Sequence, residues 1–481
     1  MRPDVLPVML VFLPFLAGLL QFIAGRPAPR LGNVLVGVNL LLVLALIPGV
    51  ADQGAIVANL GGWSEPLAIH LLADGLALLM LLLTALLAVA VSLYAMAAWR
   101  DRHHDALRFW TLWPLLLGSL NALFLSRDLF NIYVTLELVT LAAIPLVLLA
   151  GPGKTVDAAL RYLLFALLGS LIYLAGVALL YAQAGTLDLA LLADALPDST
   201  LAGSLGASLI IVGILIKAAI LPFHVWLPAA HGGAPAAVSA ILSALVVKAA
   251  AYLLLRLWSG PLDPLVTPAA GQLLGALGAL AILFGSWQAF RQERLKLVVA
   301  YSTVAQLGYM LLFFPMAVTA AWQGAVYHGL AHGLAKGALF LAAGNILLYL
   351  GHDRLREMRG IDRPLAVSLL AFGLAGVSIM GLPPSGGFTA KWLLLTASVE
   401  TGQWWWTITL LLGGLLAAAY VFRVLRLAFL QPPENVPDRP GMVPPPLMAW
   451  SATVLAVLAI VLGVVSAPLL ELLGSPVGGS E

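Results

Sequence analysis

Apolar runs of roughly membrane-spanning length follow one another along almost the whole chain. A helix needs about 20 mostly apolar residues to cross the hydrocarbon of a bilayer. Segments of that kind lie near 5–24, 32–50, 72–98, 109–125, 129–150, 158–183, 202–226, 236–258, 265–289, 299–314, 317–350, 366–400, 403–430 and 447–472. Of the 481 residues, 62% are hydrophobic and only 10% charged, and the mean hydropathy is +1.02. A soluble globular chain carries about 25% charged residues. The chain is therefore expected to be an all-α polytopic membrane protein of about 14 transmembrane helices. The first run follows Arg2 as a secretory leader would. The rest of the chain is equally apolar, so a first spanning helix is the simpler reading.

The loops test the count. Odd-numbered loops hold Arg26 and Arg30; Arg100, Arg102 and Arg108; Lys154 and Arg161; Arg291, Arg294 and Lys296; Arg354, Arg356, Arg359 and Arg363; Arg423, Arg426 and Arg439. That is most of the 24 basic residues. The N-terminal tail and the even loops hold only Arg2, Arg127 and Arg256. Positive residues stay on the cytoplasmic side. The odd loops are then cytoplasmic and both termini face outward, in a prokaryotic-type cytoplasmic membrane. The stretch 431–446 reads as a proline-rich cytoplasmic linker. Trp404, Trp405 and Trp406 fall where an aromatic belt is expected.

Several chemistries are excluded at once. The chain has no cysteine, hence no disulfide, cysteine-ligated iron–sulfur cluster or thiolate zinc site. No G-x-x-x-x-G-K-[ST] loop is present, which argues against ATP handling. The net charge of +2 gives no reason to expect nucleic acid. No cofactor or metal is expected in this chain.

Four basic residues remain outside the loops: Lys217, Lys248, Lys336 and Lys391. All are lysines, and all lie inside expected helices. A charge at membrane depth costs roughly 2.5–3.5 kcal/mol on insertion scales, so it marks function by default. Snorkelling or a static ion pair is the ordinary alternative. Arginine stays protonated in proteins, whereas a desolvated lysine can release its proton. A proton carrier needs such a group. Glu137 is a carboxylate near the middle of the fifth segment. A glutamate and a lysine in low dielectric are both charged when together and both favour neutrality when apart. The alternative is a neutral glutamate bonded to a hydroxyl.

Two segments are interrupted. Pro222 and Pro228 follow Lys217, and Pro383, Pro384, Gly386 and Gly387 precede Lys391. Such breaks survive in a membrane only where protein or water satisfies the freed backbone groups. The interrupted segments lie five apart, an odd number, as inverted five-helix repeats require. In the eleventh segment His328, His332 and Lys336 follow at i, i+4 and i+8, a row of titratable groups on one face. Gly329, Gly333 and Gly337 form a parallel close-packing stripe. His224, within the first break, and His231, just after it, are candidates to carry the row on to water.

The run LIKAAILPFHVWLPAAHGGAPAAVSAILSALVVKAAAYLLLR (215–256) resembles the core of the antiporter-like subunits of respiratory complex I, Mrp-type cation/proton antiporters and membrane-bound hydrogenases. RLKLVVAYSTVAQLGYM (294–310) and MGLPPSGGFTAKW (380–392) match further stretches of that family in order. The resemblance implies inverted repeats of helices 4–8 and 9–13, here 109–258 and 265–430, flanked by 1–108 and 447–481. It implies that Glu137 pairs with Lys217, that Lys248 is a central relay and that Lys391 closes a second half-channel. It also implies other membrane subunits as partners, with protons and possibly Na+ as cargo. Lysine at 391 resembles the D-type component of Mrp antiporters; the smallest complex I homologue shares it. Two alternatives stand beside a Mrp-type antiporter component. One is the same channel in a redox-driven quinone reductase or hydrogenase. The other is a haem-carrying oxidoreductase ligated by His328 or His332 with His224, which leaves the lysines unexplained.

Overall fold

A computed structural model describes residues 3–63, 68–151, 153–196, 200–431 and 441–475. Arg2, Arg439 and the prolines of 432–440 lie outside the described residues, as does the Lys154 side chain. The helices are α1 (Val5–Ala24), α2 (Pro29–Gln53), α3 (Gly75–Ala98), α4 (His103–Leu125), α5 (Leu129–Val147), α6 (Lys154–Ala184), α7 (Leu189–Ala195), α8 (Leu201–Lys217), α9 (Trp226–Gly233), α10 (Ala236–Ile241), α11 (Val247–Trp258), α12 (Pro268–Arg291), α13 (Leu295–Leu311), α14 (Phe313–Met316), α15 (Thr319–Leu350), α16 (Ala366–Met380), α17 (Gly386–Glu400), α18 (Trp404–Phe429), α19 (Pro446–Val464) and α20 (Ser466–Leu473). Among the described residues, 11 helical stretches are long and apolar enough to cross a membrane. The other three expected segments correspond to α4 and to the two broken pairs, α8/α9 and α16/α17.

One element departs from the helical expectation. Strands β1 (Ala55–Leu60) and β2 (Ile69–Asp74) form an antiparallel hairpin, pairing Ala55 with Asp74 and Leu60 with Ile69. The third expected helix therefore starts at Gly75 rather than 72. Asp74 ends the strand and caps α3, accepting from Ala77 N at 2.9 Å. A carboxylate there satisfies an otherwise orphaned donor. Asp128, Thr200, Thr267 and Ser385 cap α5, α8, α12 and α17 in the same way.

The span Ala236–Trp258 is wholly enclosed by other helices, whereas α2 is largely exposed. Outward apolar side chains such as Ile23, Leu164, Leu273 and Leu415 are bare, as lipid-facing residues are. Inside, α15 meets its neighbours through glycine. A Cβ at Gly333 would lie 2.8 Å from Leu83, and one at Gly329 would lie 3.2 Å from Met310. The expected glycine stripe is a packing face.

Contacts between loops obey parity. On the odd side, Arg294 binds Asp353 at 2.9 Å, Arg356 binds Glu293 at 2.8 Å, and Arg423 donates to Gln292 O at 2.9 Å. On the even side, Arg127 binds Asp188 at 3.2 Å, Arg256 binds Asp74 at 2.6 Å, and Gln403 donates to Pro315 O at 2.8 Å.

Several basic residues assigned to loops lie within helices, Arg108, Arg161, Arg423 and Arg426 among them, and two more turn inward. Lys296, assigned to a loop, is the second residue of α13 and is buried, its ammonium donating to Ala234 O. Arg256, assigned to an even loop, lies in the last turn of α11 with its guanidinium enclosed. Each side chain finds a partner inside the protein.

Candidate ion-translocation site

α8 ends at Lys217 because Pro222 follows and the chain turns through Ala219 at φ 54°. The freed Ile216 carbonyl accepts from Trp226 Nε1 at 3.2 Å. Protein thus satisfies the backbone that the break exposes. Lys217 sits at a helix C-terminus, where the dipole favours a cation. Its ammonium lies 3.0 Å from Glu137 Oε1 and 3.4 Å from Thr140 Oγ1. The Ser170 hydroxyl donates to the same carboxylate oxygen. α5, α6 and α8 thus meet at one ion pair, its lysine buried and its glutamate 19% exposed.

Beside Lys217 is a cavity of about 20 Å³, walled by Thr140, Tyr162 and Trp226 and, from the next helix, Val246 and Ala250. One water needs about 10–15 Å³ by this measure. Val246 and Ala250 stand two residues to either side of Lys248, which is completely buried. α10 and α11 join through a π-turn, Leu242–Val246, which widens the helix there. The Lys248 ammonium donates to the Ser243 carbonyl inside that turn.

Hydroxyls continue the row. Ser243 Oγ and Thr303 Oγ1 are 2.8 Å apart. Thr303 donates to Val299 O at 3.1 Å, and Lys336 donates to that same oxygen at 2.9 Å and to Ser302 Oγ. His332 lies within electrostatic reach of both Lys248 and Lys336. The His332 and His328 rings stack at 5.7 Å, and His328 stacks on Tyr309 at 5.0 Å. His328 Nε2 lies 3.0 Å from Gln306 O.

Tyr309 also meets Lys391, whose ammonium stands 4.5 Å over its ring. That ammonium donates to Ile379 O at 2.9 Å and Met380 O at 3.1 Å, the open carbonyls that end α16. Lys391 thus turns back across the second break. Lys217, Lys248, Lys336, His332, His328 and Lys391 form one buried row, with the partly exposed Glu137 at its Lys217 end.

His224 stands apart from it. Its half-buried ring meets Phe284 at 5.1 Å, edge on, and it shares no contact with His328 or His332 among the described residues. His231 does not reach water either: it is fully buried, stacked on Phe340 at 4.7 Å, within electrostatic reach of Lys296, Lys336 and Lys248. Sequence reasoning missed Tyr309 and Lys296. Tyr309 looks like any apolar helix residue, and Lys296 sits where loop arginines cluster.

A helical membrane protein with a buried row of lysines and histidines between two broken helices has the architecture of an ion translocator. Residues 126–417 match the family described as NADH:quinone oxidoreductase/Mrp antiporter, transmembrane. The N-type component of NADH-quinone oxidoreductase from Desulforudis audaxviator is 35% identical over 89% of this chain and 87% of that protein. The D-type component of the Na(+)/H(+) antiporter from Bacillus subtilis is 29% identical over 87% and 84%. The Mrp complex structure from Dietzia sp. DQ12-45-1b contains a chain of TM-score 0.90 at 26% identity, with 99% of this chain and 97% of that one covered. Respiratory complex I from Thermus thermophilus contains one of TM-score 0.85 at 26% identity, covering 98% and 100%. The chain belongs to the NADH:quinone oxidoreductase/Mrp antiporter family. It is an antiporter-like integral membrane subunit, and the solved structures it resembles are multisubunit assemblies.

Proposed function

We propose that this chain is the proton-translocating subunit of a multisubunit Mrp-type Na+(K+)/H+ antiporter. Fourteen spans would carry it, with the odd loops cytoplasmic. Repeats 109–258 and 265–430 would each contribute one half-channel, closed by Lys217 and Lys391. The observation that carries this reading is the Glu137–Lys217 pair at 3.0 Å, set beside a one-water chamber walled by Val246 and Ala250, the residues two to either side of Lys248. Separating the pair leaves each partner favouring its neutral form, so the motion passes one proton. Other membrane subunits complete the machine and bring the opposing cation gradient.

The purified complex, reconstituted in vesicles, tests this. Lys217→Ala and Glu137→Ala, each fully assembled, should lower proton/cation exchange by at least about tenfold. Full exchange in either would refute the mechanism. A second reading places the same channel in a redox-driven quinone reductase or hydrogenase, favoured by the 35% identity to an oxidoreductase subunit. Copurified iron–sulfur subunits would select that reading; small membrane subunits would select the antiporter.

A further inference from the structure

α11 carries a second row, of which the mechanism above uses only the first member, Lys248. Lys248, Tyr252 and Arg256 follow at i, i+4 and i+8, the spacing of His328, His332 and Lys336 on α15. Each step rises about 6 Å on one helix face. The row runs from the centre of the molecule to the even-loop side. Arg256 Cζ lies 5.1 Å over the Tyr252 ring, and its Nη2 is 2.6 Å from Asp74 Oδ1. The Tyr252 hydroxyl donates to Phe124 O at 2.6 Å.

Asp74 and Arg256 form part of the wall of a cavity of about 810 Å³. It opens between the β2–α3 turn, α7, the 259–264 loop and α20, and Arg127, Asp263 and Glu471 also line it. Three of its lining residues leave a donor without a partner among the described residues: Arg256 Nε, Ser259 Oγ and Trp322 Nε1. Ser259 and Trp322 are more than nine-tenths buried. Each such donor costs about 1–3 kcal/mol if it stays dry. These three atoms are themselves closed to solvent, so the polar character of the cavity rests on its charged lining, Asp74, Arg127, Arg256, Asp263 and Glu471. Arg256 beside Asp74 disfavours a metal cation at that carboxylate.

We propose that this cavity is an aqueous vestibule on the even-loop side, and that Asp74 is the group through which protons pass between it and Lys248. This rests on the proton-translocating reading. Burial raises the Asp74 carboxyl, but the Arg256 guanidinium more than reverses that, leaving it below its ordinary value and ionised at rest. A proton handed on by the Tyr252 hydroxyl neutralises Asp74 and loosens its hold on Arg256. The same proton then leaves to cavity water and the pair re-forms, so no charge is retained. Arg256 never deprotonates; it positions the carboxylate. In this structure the route is shut at Tyr252, whose hydroxyl is held by the Phe124 carbonyl.

The test uses the assembled complex in sealed vesicles. The chain has no cysteine, so Ala193→Cys on the cavity wall introduces a single thiol, with the unmodified complex as control for its partners. A membrane-impermeant cationic thiol reagent added from the even-loop side should label it and lower transport by at least about tenfold. Asp74→Asn should lower transport per assembled complex by a similar factor, and Asp74→Glu should restore most of it. Tyr252→Phe, which keeps the ring, should also fall. An unreactive thiol, or labelling with no loss of transport, overturns the vestibule. Wild-type rates in assembled Asp74→Asn overturn the relay. Lys217→Ala separates the two levels: if it is inactive while Asp74→Asn is normal, only this inference fails, and if it is active, the proton-translocating reading fails with it.

Discussion

The two broken helices solve one problem with different chemistry. Each ends a half-helix beside a buried lysine, Lys217 as the last residue of α8 and Lys391 across the gap after α16. The first lysine faces a carboxylate, Glu137, with a hydroxyl behind it. Lys391 has no carboxylate partner among the described residues; two backbone carbonyls and the Tyr309 ring receive its ammonium. The turns differ as well. The second break turns through Gly381 at φ 81°, the first through Ala219 at φ 54°. One break therefore holds its lysine against a carboxylate, which can itself take up a proton. The other holds its own against carbonyl dipoles that cannot change protonation.

The comparison is broken most severely at the pair. Lys217→Met leaves Glu137, whose side chain is 19% exposed, without its cation; removing one partner of a fully buried pair costs about 3–5 kcal/mol, and the partial exposure should bring the loss to the lower end of that range. The unfolding midpoint of the complex in detergent should drop accordingly. The double variant Glu137→Gln/Lys217→Met should regain most of that loss, because no lone charge remains. If it is as unstable as Lys217→Met, the pair is not the source of the cost. Lys391→Met should cost less, about 1–3 kcal/mol, since it orphans two carbonyls rather than a charge. An equal or greater loss would mean that Lys391 has an ionic partner after all.

Much of this contrast was legible in the chain, and part was not. The lysines were legible because charge inside a hydrophobic run is costly wherever the run packs, and the breaks because proline removes a backbone donor in any fold. Glu137 as the first counter-charge was legible through family resemblance. The partners of Lys391 were not, because main-chain carbonyls carry no sequence signature. Tyr309 was hidden for a related reason: an aromatic residue in an apolar helix reads as packing until a cation is seen over its ring. Lys296 and Arg256 misled because they stand at helix ends among loop residues. The β1–β2 hairpin was lost between two apolar runs, where strand and loop look alike.

The turns allow a finer comparison. Gly381→Ala forces a side chain into the left-handed region and puts a Cβ 3.3 Å from the Lys391 ammonium. About 1–3 kcal/mol of stability should be lost, and transport should fall as the lysine is pushed off its carbonyls. Unchanged transport would mean that the lysine position tolerates displacement.

Ala219→Gly is the reverse experiment and should have the smallest effect. Relief of the left-handed conformation contributes about 1–2 kcal/mol. Against it stand the greater freedom of glycine in the unfolded chain, about 0.4–1 kcal/mol, and loss of a buried methyl, about 0.8 kcal/mol. Ala219 is fully buried, so the methyl counts in full. The net change should stay within about 1 kcal/mol of zero, read as a midpoint shift of a few degrees at most. Transport is the sharper readout. If the first break works by separating a charged pair, a looser turn leaves exchange near the wild-type rate, because the pair and not the turn sets the two states. A large loss of transport at unchanged stability would mean that the strained alanine itself aims Lys217 at Glu137. The two breaks would then both depend on the geometry of their turns.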